Sequence, residues 1–236
     1  MTIEAGPNIV NSGLVLNLDA ASSKSYPGSG TAWTDLSVNG NNGVLVNSPT
    51  FDSTNQGSLV FNGSSSYATL PNNLLQHETG NPFTFSFWFK TSSSGVIFGQ
   101  QNVSTVSGAS AYVPAIYIGS NGFLYTSCFW GNTTSNTSVS SSSVNDNAWK
   151  NIIVTFSSGS QTSYLNGVSY ATLSKTQFFF ASTYYYFVGA GTTGGWPSGG
   201  NAYFNGNISN VLYYTRALSS TEVSQNFNAL RGRYGI

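Results

Sequence analysis

The seven acidic residues are the first place to look for chemistry, because two carboxylates facing one bond are the usual means of hydrolysing a glycoside. They are spread singly along the chain, at Glu4, Asp19, Asp35, Asp52, Glu78, Asp146 and Glu222. No two of them alternate along one strand-like segment, so no pair is predicted to point into one cleft. The single histidine, His77, has no nucleophile motif nearby, and Cys128 is the single cysteine. We therefore predict no enzymatic activity, no catalytic residues and no disulfide bond within the chain.

One segment partly imitates a calcium-binding loop. Asp35, Ser37 and Asn39 place oxygen atoms at alternate positions, and Gly40 follows them as a turn residue. The last position of such a loop normally holds a bidentate glutamate, and here it is Val46. Two interpretations stay open: a weak calcium site, or a turn in which short polar side chains bond to nearby backbone amides. We expect the turn, and therefore no cofactor.

A glycine-rich segment, AGTTGGWPSGGN, has the composition of a sugar-binding loop. Sugar recognition combines a flat aromatic face with amide and backbone groups that match hydroxyls. Trp196 and Asn201 supply both in this segment, and Tyr185, Trp130 and Asn132 are further candidates. Two other roles for Trp196 are an anchor in a subunit interface and packing within the chain. These five residues form the candidate ligand-binding set.

The elements that must position these residues are predicted to be β-strands. Four phenylalanines alternate through residues 83–89, so they share one face and predict the central core strand, with Trp88 on the opposite face. Asn-Gly pairs at residues 62–63 and 166–167 predict two hairpins, because both residue types accept the positive φ angles of a tight turn. Other strand-like segments are residues 14–20, 44–46, 95–99, 112–119, 123–130, 137–140, 147–156 and 207–214.

The end of the chain predicts its one good helix. Ser219 and Glu222 have the spacing of a capping box, in which each side chain bonds to the backbone amide of the other residue. Apolar residues then recur with a helical period, and Gly232 is the expected glycine just beyond the last turn. The predicted helix spans residues 219–231. We expect a lone terminal helix of this kind to lie against a sheet edge or a neighbouring subunit.

The composition indicates a folded protein with an uncharged polar surface. Charged residues are 6 % of the chain, far below the usual quarter, whereas aromatic residues are 15 %. The formal net charge is +0 and Lys plus Arg total 7, which excludes the basic stripe that nucleic acid requires. Little charge repulsion opposes association, so the surface suits a packed assembly. The start resembles no signal peptide, and no apolar run reaches the roughly 20 residues of a membrane span.

Several motifs, in order along the chain, resemble those of one family. LVLNLDA, LVFNGSSSYATL, NAWKNIIVTF and YLNG are followed by YFNGNISNVLYYTRALSSTEVSQNF, which is similar to the closing signature of concanavalin A-like, laminin-G-type modules. The resemblance implies an all-β fold: a jelly-roll sandwich of two antiparallel sheets with a short C-terminal helix. We expect one domain over residues 1–236, with residues 1–13 as an arm or edge strand.

The final residues, NFNALRGRYGI, resemble the tails of laminin-G-like proteins encoded by tailed bacteriophages. With the uncharged surface, this resemblance favours a non-enzymatic virion structural protein, a surface decoration or fibre or tail-appendage subunit. Its expected partners are other virion proteins and copies of itself, with host-surface polysaccharide as a further partner, and its expected location is the virion surface after synthesis in the host cytoplasm. The alternative is a free-standing carbohydrate-binding lectin or adhesin.

Overall fold

Two antiparallel β-sheets packed face to face, with one C-terminal helix, make up the computed structural model. It describes residues 7–72, 74, 81–127, 137–157, 159–174 and 184–236. The predicted all-β sandwich is therefore confirmed. The elements in chain order are β1 (Leu14–Asp19), β2 (Ala32–Trp33), β3 (Gly43–Val46), β4 (Thr50–Asp52), β5 (Ser58–Asn62), β6 (Tyr67–Leu70), β7 (Phe83–Lys90), β8 (Gly95–Gln101), β9 (Tyr112–Ile118), β10 (Phe123–Thr126), β11 (Ser138–Ser143), β12 (Lys150–Ser157), β13 (Ser160–Leu165), β14 (Val168–Ser174), β15 (Tyr185–Val188), β16 (Asn205–Tyr214) and α1 (Ser220–Tyr234).

The strands divide into sheet A and sheet B. Sheet A has the order β14-β13-β12-β7-β16-β5-β4, and β1 pairs with the second half of β16. Sheet B has the order β11-β10-β9-β8-β15-β6-β3-β2. Strands that follow one another in sequence often lie in different sheets, so the chain crosses repeatedly between the layers and ties them together.

The core between the sheets is built on β7, as the alternating phenylalanines predict. All four phenylalanines are buried in the core between the sheets. The residues that alternate with them lie on the outer face of sheet A. The ring of Phe85 lies 4.6 Å from that of Tyr213 in sheet A and 4.7 Å from that of Phe98 in sheet B, measured between ring centroids. Each such side chain contributes about 1.5–3 kcal/mol of burial free energy, so β7 helps to hold the two layers together.

The two Asn-Gly pairs have different outcomes. The pair at 166–167 forms the predicted hairpin between β13 and β14, with φ angles of 50° and 77°. The hairpin predicted at Asn62-Gly63 is wrong, because β5 belongs to sheet A and β6 to sheet B. Here the Asn62 side-chain oxygen accepts bonds from the amides of Ser64, Ser65 and Ser66, which stabilises a corner between the sheets. The loop between β5 and β6 is longer than a two-residue hairpin turn, so the chain can cross from sheet A to sheet B.

Helix α1 begins as predicted and ends later. Its capping box is present, with the Ser219 hydroxyl 3.3 Å from the Glu222 amide nitrogen. Gly232 lies inside the helix, and Gly235, at φ 74°, is the residue that ends it. The helix continues because Tyr234 packs on Trp88, with 4.2 Å between ring centroids. No helix within the described residues is long and apolar enough to cross a membrane.

The helix covers the outer face of sheet A, so the expectation that it lies at a sheet edge is wrong. Val223 packs there with Leu218, Ile153 and Leu212. The last turn of the helix packs against Trp88 and Trp149. The last turn is also fixed by charge. Arg233 forms two bonds with Asp19, of 2.8 and 3.1 Å, and both side chains are largely buried.

An arm at residues 7–13 packs beside the helix and is not a strand. The amide of Val10 donates to the Asn226 side chain at 2.8 Å, and the Val10 carbonyl accepts from the Tyr214 hydroxyl at 2.9 Å. Arg216 joins the arm to the helix start, because it donates to the Ser12 carbonyl and forms a two-bond pair with Glu222. Both ends of the described chain therefore lie on the sheet A side.

The Arg216–Glu222 pair should make the free energy of unfolding depend on pH in the acid range. Hydrogen bonds from Arg216, and then from the Ser219 backbone amide, lower the pKa of Glu222 to about 2 from an ordinary value of 4.5. The folded-state pKa is the lower one, so the stabilisation is complete above about pH 4.5 and is lost as the pH falls toward 2. Because the pair is partly exposed to solvent, we expect it to contribute about 1–2 kcal/mol.

Urea unfolding of the wild type and of Glu222→Gln at pH 6 and at pH 2.5 measures this contribution. At pH 6 the wild type should be the more stable protein, and the gap should be much smaller at pH 2.5, which lies well below the ordinary pKa of a glutamate and close to the lowered one. A gap of equal size at both pH values would show that the carboxylate charge does not produce it.

Candidate functional site

A closed, glycine-rich loop at residues 191–202 lies on the outer face of sheet B. Its base is held by the pairing of Ala190 with Tyr203 and by a 2.9 Å bond from the Gly191 amide to the Ala202 carbonyl. Inside the loop, the Thr193 hydroxyl donates to the Gly200 carbonyl at 2.8 Å. The loop is therefore a compact surface structure fixed by its own backbone.

Three tyrosines of sheet B fasten this loop to the sheet. The Tyr112 hydroxyl donates to the Gly194 carbonyl at 2.9 Å, and the Tyr117 hydroxyl donates to the Pro197 carbonyl at 2.7 Å. The Tyr125 hydroxyl lies 3.1 Å from the Ser198 hydroxyl. Burial, with a smaller effect of the neighbouring Tyr125, raises the pKa of Tyr117. Its hydroxyl therefore remains a donor at all physiological pH values.

Trp196 packs within the chain. Its half-buried side chain lies against Val96, Tyr117 and Tyr125 on the outer face of sheet B. Of its three predicted roles, packing within the chain is thus the one that the contacts display. Asn201, on the same loop, is exposed, and its amide lies 3.4 Å from the Ser94 hydroxyl.

A pocket of about 310 Å³ opens between the glycine-rich loop and the segment that connects β8 to β9. This volume is at the lower end of the roughly 300–1,000 Å³ typical of small-ligand pockets. The described residues that line it are small, polar or aromatic, and none carries a charge: Val106, Ser107, Gly108, Ala109, Thr192, Thr193, Gly194, Gly200, Ala202 and Tyr203.

An aromatic cluster lies beside and beneath the pocket. Tyr203 lines the pocket and packs against Tyr67, with 6.4 Å between ring centroids, and Tyr67 in turn meets the buried Phe187 edge-on at 5.5 Å. Tyr185, half-buried, belongs to the same cluster, as does Val106. Burial raises the pKa of Tyr67, with a smaller effect of Tyr203. The cluster therefore supplies aromatic surface, and the Tyr67 hydroxyl within it stays protonated.

Gln101 joins the two walls of the pocket. Its side chain is fully buried, its amide nitrogen donates to the Thr105 carbonyl, and its amide oxygen lies 3.1 Å from the Thr192 hydroxyl. That hydroxyl is also 3.0 Å from the Val106 carbonyl. One buried amide thus positions the segment before Val106 and the start of the glycine-rich loop.

The structure brings together part of the predicted ligand-binding set. Trp196 and Asn201 are on the loop that forms one wall, and Tyr185 is in the aromatic cluster, but none of these three lines the pocket itself. Trp130 and Asn132 lie outside the described residues, as do Glu4, His77, Glu78 and Cys128. The sequence interpretation missed the connection between β8 and β9, which has no motif, and it missed Tyr203 and Tyr67 because they lie far apart in sequence.

In the segment that imitates a calcium loop, both carboxylate oxygens of Asp35 accept hydrogen bonds from the protein. One carboxylate oxygen of Asp35 accepts from the amides of Asn17 and Ser37, at 2.8 Å each. The other accepts from the Ser37 hydroxyl at 2.6 Å and from the Asn41 amide at 2.9 Å. Protein donors therefore occupy both oxygens of this carboxylate, and the Asn39 side-chain amide donates to the Ser37 hydroxyl and to the Leu14 carbonyl.

The remaining described acids are engaged away from the pocket. Asp19 pairs with Arg233, Asp146 with Lys150 at 2.7 Å, and Glu222 with Arg216. Asp52 accepts from the Thr54 amide and from the Asn207 side chain. No carboxylate among the described residues lines the pocket, so it offers no pair for acid–base hydrolysis of a glycoside. Its groups suit binding of an uncharged ligand with several hydroxyls.

Comparison of the sequence with protein-family models gives one match. The family model described as the Concanavalin A-like lectin/glucanases superfamily, of laminin G type, matches residues 62–224. No curated protein sequence matches the chain.

Comparison with solved structures gives similar folds at low sequence identity. Domain 4 of AbnA, a GH43 extracellular arabinanase from Geobacillus stearothermophilus in complex with arabinotriose, has a TM-score of 0.62 and 14 % identity over 93 % of this chain and 100 % of that one. Trypanosoma rangeli sialidase in complex with the inhibitor DANA has a TM-score of 0.62 and 16 % identity over 93 % of this chain, which spans 33 % of the sialidase chain. The binding domain of Paraclostridial Mosquitocidal Protein 1 has a TM-score of 0.62 and 17 % identity over 92 % of this chain and 52 % of that one.

Proposed function

This chain belongs to the Concanavalin A-like lectin/glucanases superfamily, and we propose that it is a carbohydrate-binding, lectin-like module without catalytic activity. Glycan binds in the pocket between the glycine-rich loop and the connection from β8 to β9. The observation that carries the proposal is the lining of this pocket, which combines the Tyr203 ring with hydroxyls, exposed backbone and no carboxylate.

The pocket groups match the chemistry of a sugar. An aromatic ring packs against the apolar face of a sugar ring, while hydroxyl and backbone groups bond to its hydroxyls. The walls are fixed in advance by Gln101 and by the three tyrosines under the loop, so binding costs little additional ordering. The arabinanase domain of similar fold, which is in complex with arabinotriose, supports glycan as the ligand class.

Filling the pocket should abolish glycan binding. Ala109 lines the pocket and is half-exposed, so Ala109→Trp places a large ring in the space without disturbing the core. We expect binding to arabinotriose, or to any positive glycan on an array, to weaken at least about tenfold, which is about 1.4 kcal/mol. Tyr203→Ala should have a similar effect, because it removes the aromatic surface.

Two control variants accompany this titration. Val168→Trp adds the same ring at a site on sheet A that is 70 % exposed, and it should bind like the wild type. Trp196→Ala should weaken binding less than Ala109→Trp, because Trp196 lies outside the pocket lining. Equal binding by Ala109→Trp and the wild type would refute this location for the site.

A second candidate function is that of a virion structural protein of a tailed bacteriophage. Four apolar side chains within residues 36–51 are exposed, which favours contact with another protein: Leu36, Val38, Val44 and Phe51. On this proposal the chain is a surface decoration or a fibre or tail-appendage subunit, located on the virion surface, and its partners are other virion proteins or copies of itself. The role is compatible with glycan binding on sheet B.

Mass spectrometry of purified particles tests the virion role directly. If the chain is a structural subunit, it should be present in stoichiometric amounts, and its absence would refute the role. Light scattering of the isolated chain and of Val38→Ser addresses self-association, which the variant should weaken. The tail NFNALRGRYGI provides less support than its resemblance implies, because Arg233 and Tyr234 are used within the chain.

A further inference from the structure

Sheet B contains no charged residue in any of its eight strands, β2, β3, β6, β8, β9, β10, β11 and β15. The sequence shows the same separation. Residues 91–145 and 176–215 contain no Asp, Glu, Lys, Arg or His. Both walls of the pocket, residues 106–109 and 192–203, come from these two uncharged stretches.

The ion pairs of the described residues lie on the other side of the molecule. Two ion pairs, Arg233–Asp19 and Arg216–Glu222, attach the terminal helix to the side of sheet A, and Lys150–Asp146 lies at the start of β12. Four of the described charged side chains therefore hold the helix and arm in place, and no described charged side chain lines the pocket.

This separation restricts what the pocket can recognise. A sugar carboxylate, sulfate or phosphate is bound tightly when an arginine or lysine donates charge-assisted bonds. Without such a partner, moving an anion from water into a pocket costs more than the neutral bonds return. Sugar hydroxyls can instead exchange their bonds to water for bonds to Thr193, Ser107 and exposed backbone at little net cost.

Resting on the proposed function, we propose that the ligand of this pocket is a neutral glycan, free of sialic acid, uronic acid, sulfate and phosphate. The pocket volume of about 310 Å³ suits one or two sugar rings. Tyr67, which packs against the pocket residue Tyr203, adds no charge, because its raised pKa keeps its hydroxyl protonated. Binding is therefore insensitive to salt.

The test is a glycan array that holds matched neutral and anionic members, such as lactose and 3′-sialyllactose, together with arabinotriose. Hits are then titrated by calorimetry in 20 mM and in 500 mM NaCl. We expect the hits to be neutral, the dissociation constant to change less than twofold with salt, and the signal to be lost in Ala109→Trp. Screening by salt, which weakens recognition between opposite charges, should have no effect on this binding.

The outcomes separate the two proposals. Hits that are anionic and stronger than their neutral counterparts would overturn the neutral-glycan inference and leave the glycan-binding function standing. No hit of either kind, or hits that Ala109→Trp retains, would overturn the proposed site and with it the inference.

A gain of charge provides a second test. Ala109→Arg places a guanidinium at the pocket, and Ala109→Gln is the uncharged control of similar length. If the absence of charge determines the preference, the arginine variant should gain binding to anionic members of the array, at least fivefold over the glutamine variant, and the gain should disappear in 500 mM NaCl. Equal responses of the two variants would contradict the inference.

Discussion

Replacing Arg233 with methionine should lower the free energy of unfolding by about 3–5 kcal/mol, which is the cost of removing one partner from a buried ion pair. Arg233 and Asp19 are 15 % and 13 % exposed, and two bonds of 2.8 and 3.1 Å join them. The substitution leaves the Asp19 carboxylate without its partner at a site from which water is largely excluded. It also loosens the last turn of α1, which covers Trp88.

Guanidinium chloride unfolding of Arg233→Met against Arg231→Met provides the measurement. Arg231 is exposed in the same turn, so its replacement should change stability by less than about 0.5 kcal/mol. Adding Asp19→Asn to Arg233→Met should recover part of the loss, because the carboxylate charge is then absent while the bond from the Ala21 amide is kept. Equal stability of the two methionine variants would contradict the role given to the ion pair.

Two adjacent glutamines should respond in opposite directions to the same substitution. Gln100 and Gln101 are both buried in β8, with 1 % and 0 % exposure. Gln101 bonds to both walls of the pocket, so Gln101→Met should cost about 2–4 kcal/mol through lost bonds and an unpaired carbonyl. Among the described residues, neither amide atom of Gln100 has a hydrogen-bond partner. Gln100→Met should therefore raise stability by about 1–3 kcal/mol.

Thermal unfolding resolves this pair, because 1 kcal/mol corresponds to about 2–4 °C in a chain of this size. We expect the melting temperature to rise for Gln100→Met and to fall for Gln101→Met, and the glycan affinity to fall only for the second. A decrease for Gln100→Met would mean that a buried water satisfies its amide.

Local patterns predicted the parts of this fold that depend on neighbours in sequence. The alternating phenylalanines of β7, the capping box at Ser219 and the hairpin at Asn166-Gly167 are all determined within a few residues. The failures came where distant contacts decide the local structure. Asn62-Gly63 forms a corner because the strands on either side of it belong to different sheets. Helix α1 continues beyond Gly232 because Tyr234 packs on Trp88.

The candidate site was harder to predict for the same reason. Its walls come from segments about ninety residues apart, joined by Gln101 and Thr192, and no motif marks the connection from β8 to β9. Composition drew attention to Trp196, which packs against the sheet. Tyr203 is positioned at the pocket by its pairing with Ala190, and this pairing is not visible in the sequence. The long uncharged stretches were the signal in the sequence that could have identified this face.

The location of the arm and of helix α1 has a practical consequence for attachment. The arm at residues 7–13 and helix α1 both lie against the outer face of sheet A, whereas the pocket opens on the outer face of sheet B. A tether fused after helix α1 therefore holds the molecule by the face opposite the pocket. A sensor surface, a fusion partner or a larger particle could each carry many copies in this one orientation, so that weak single contacts would add up to tight multivalent adhesion.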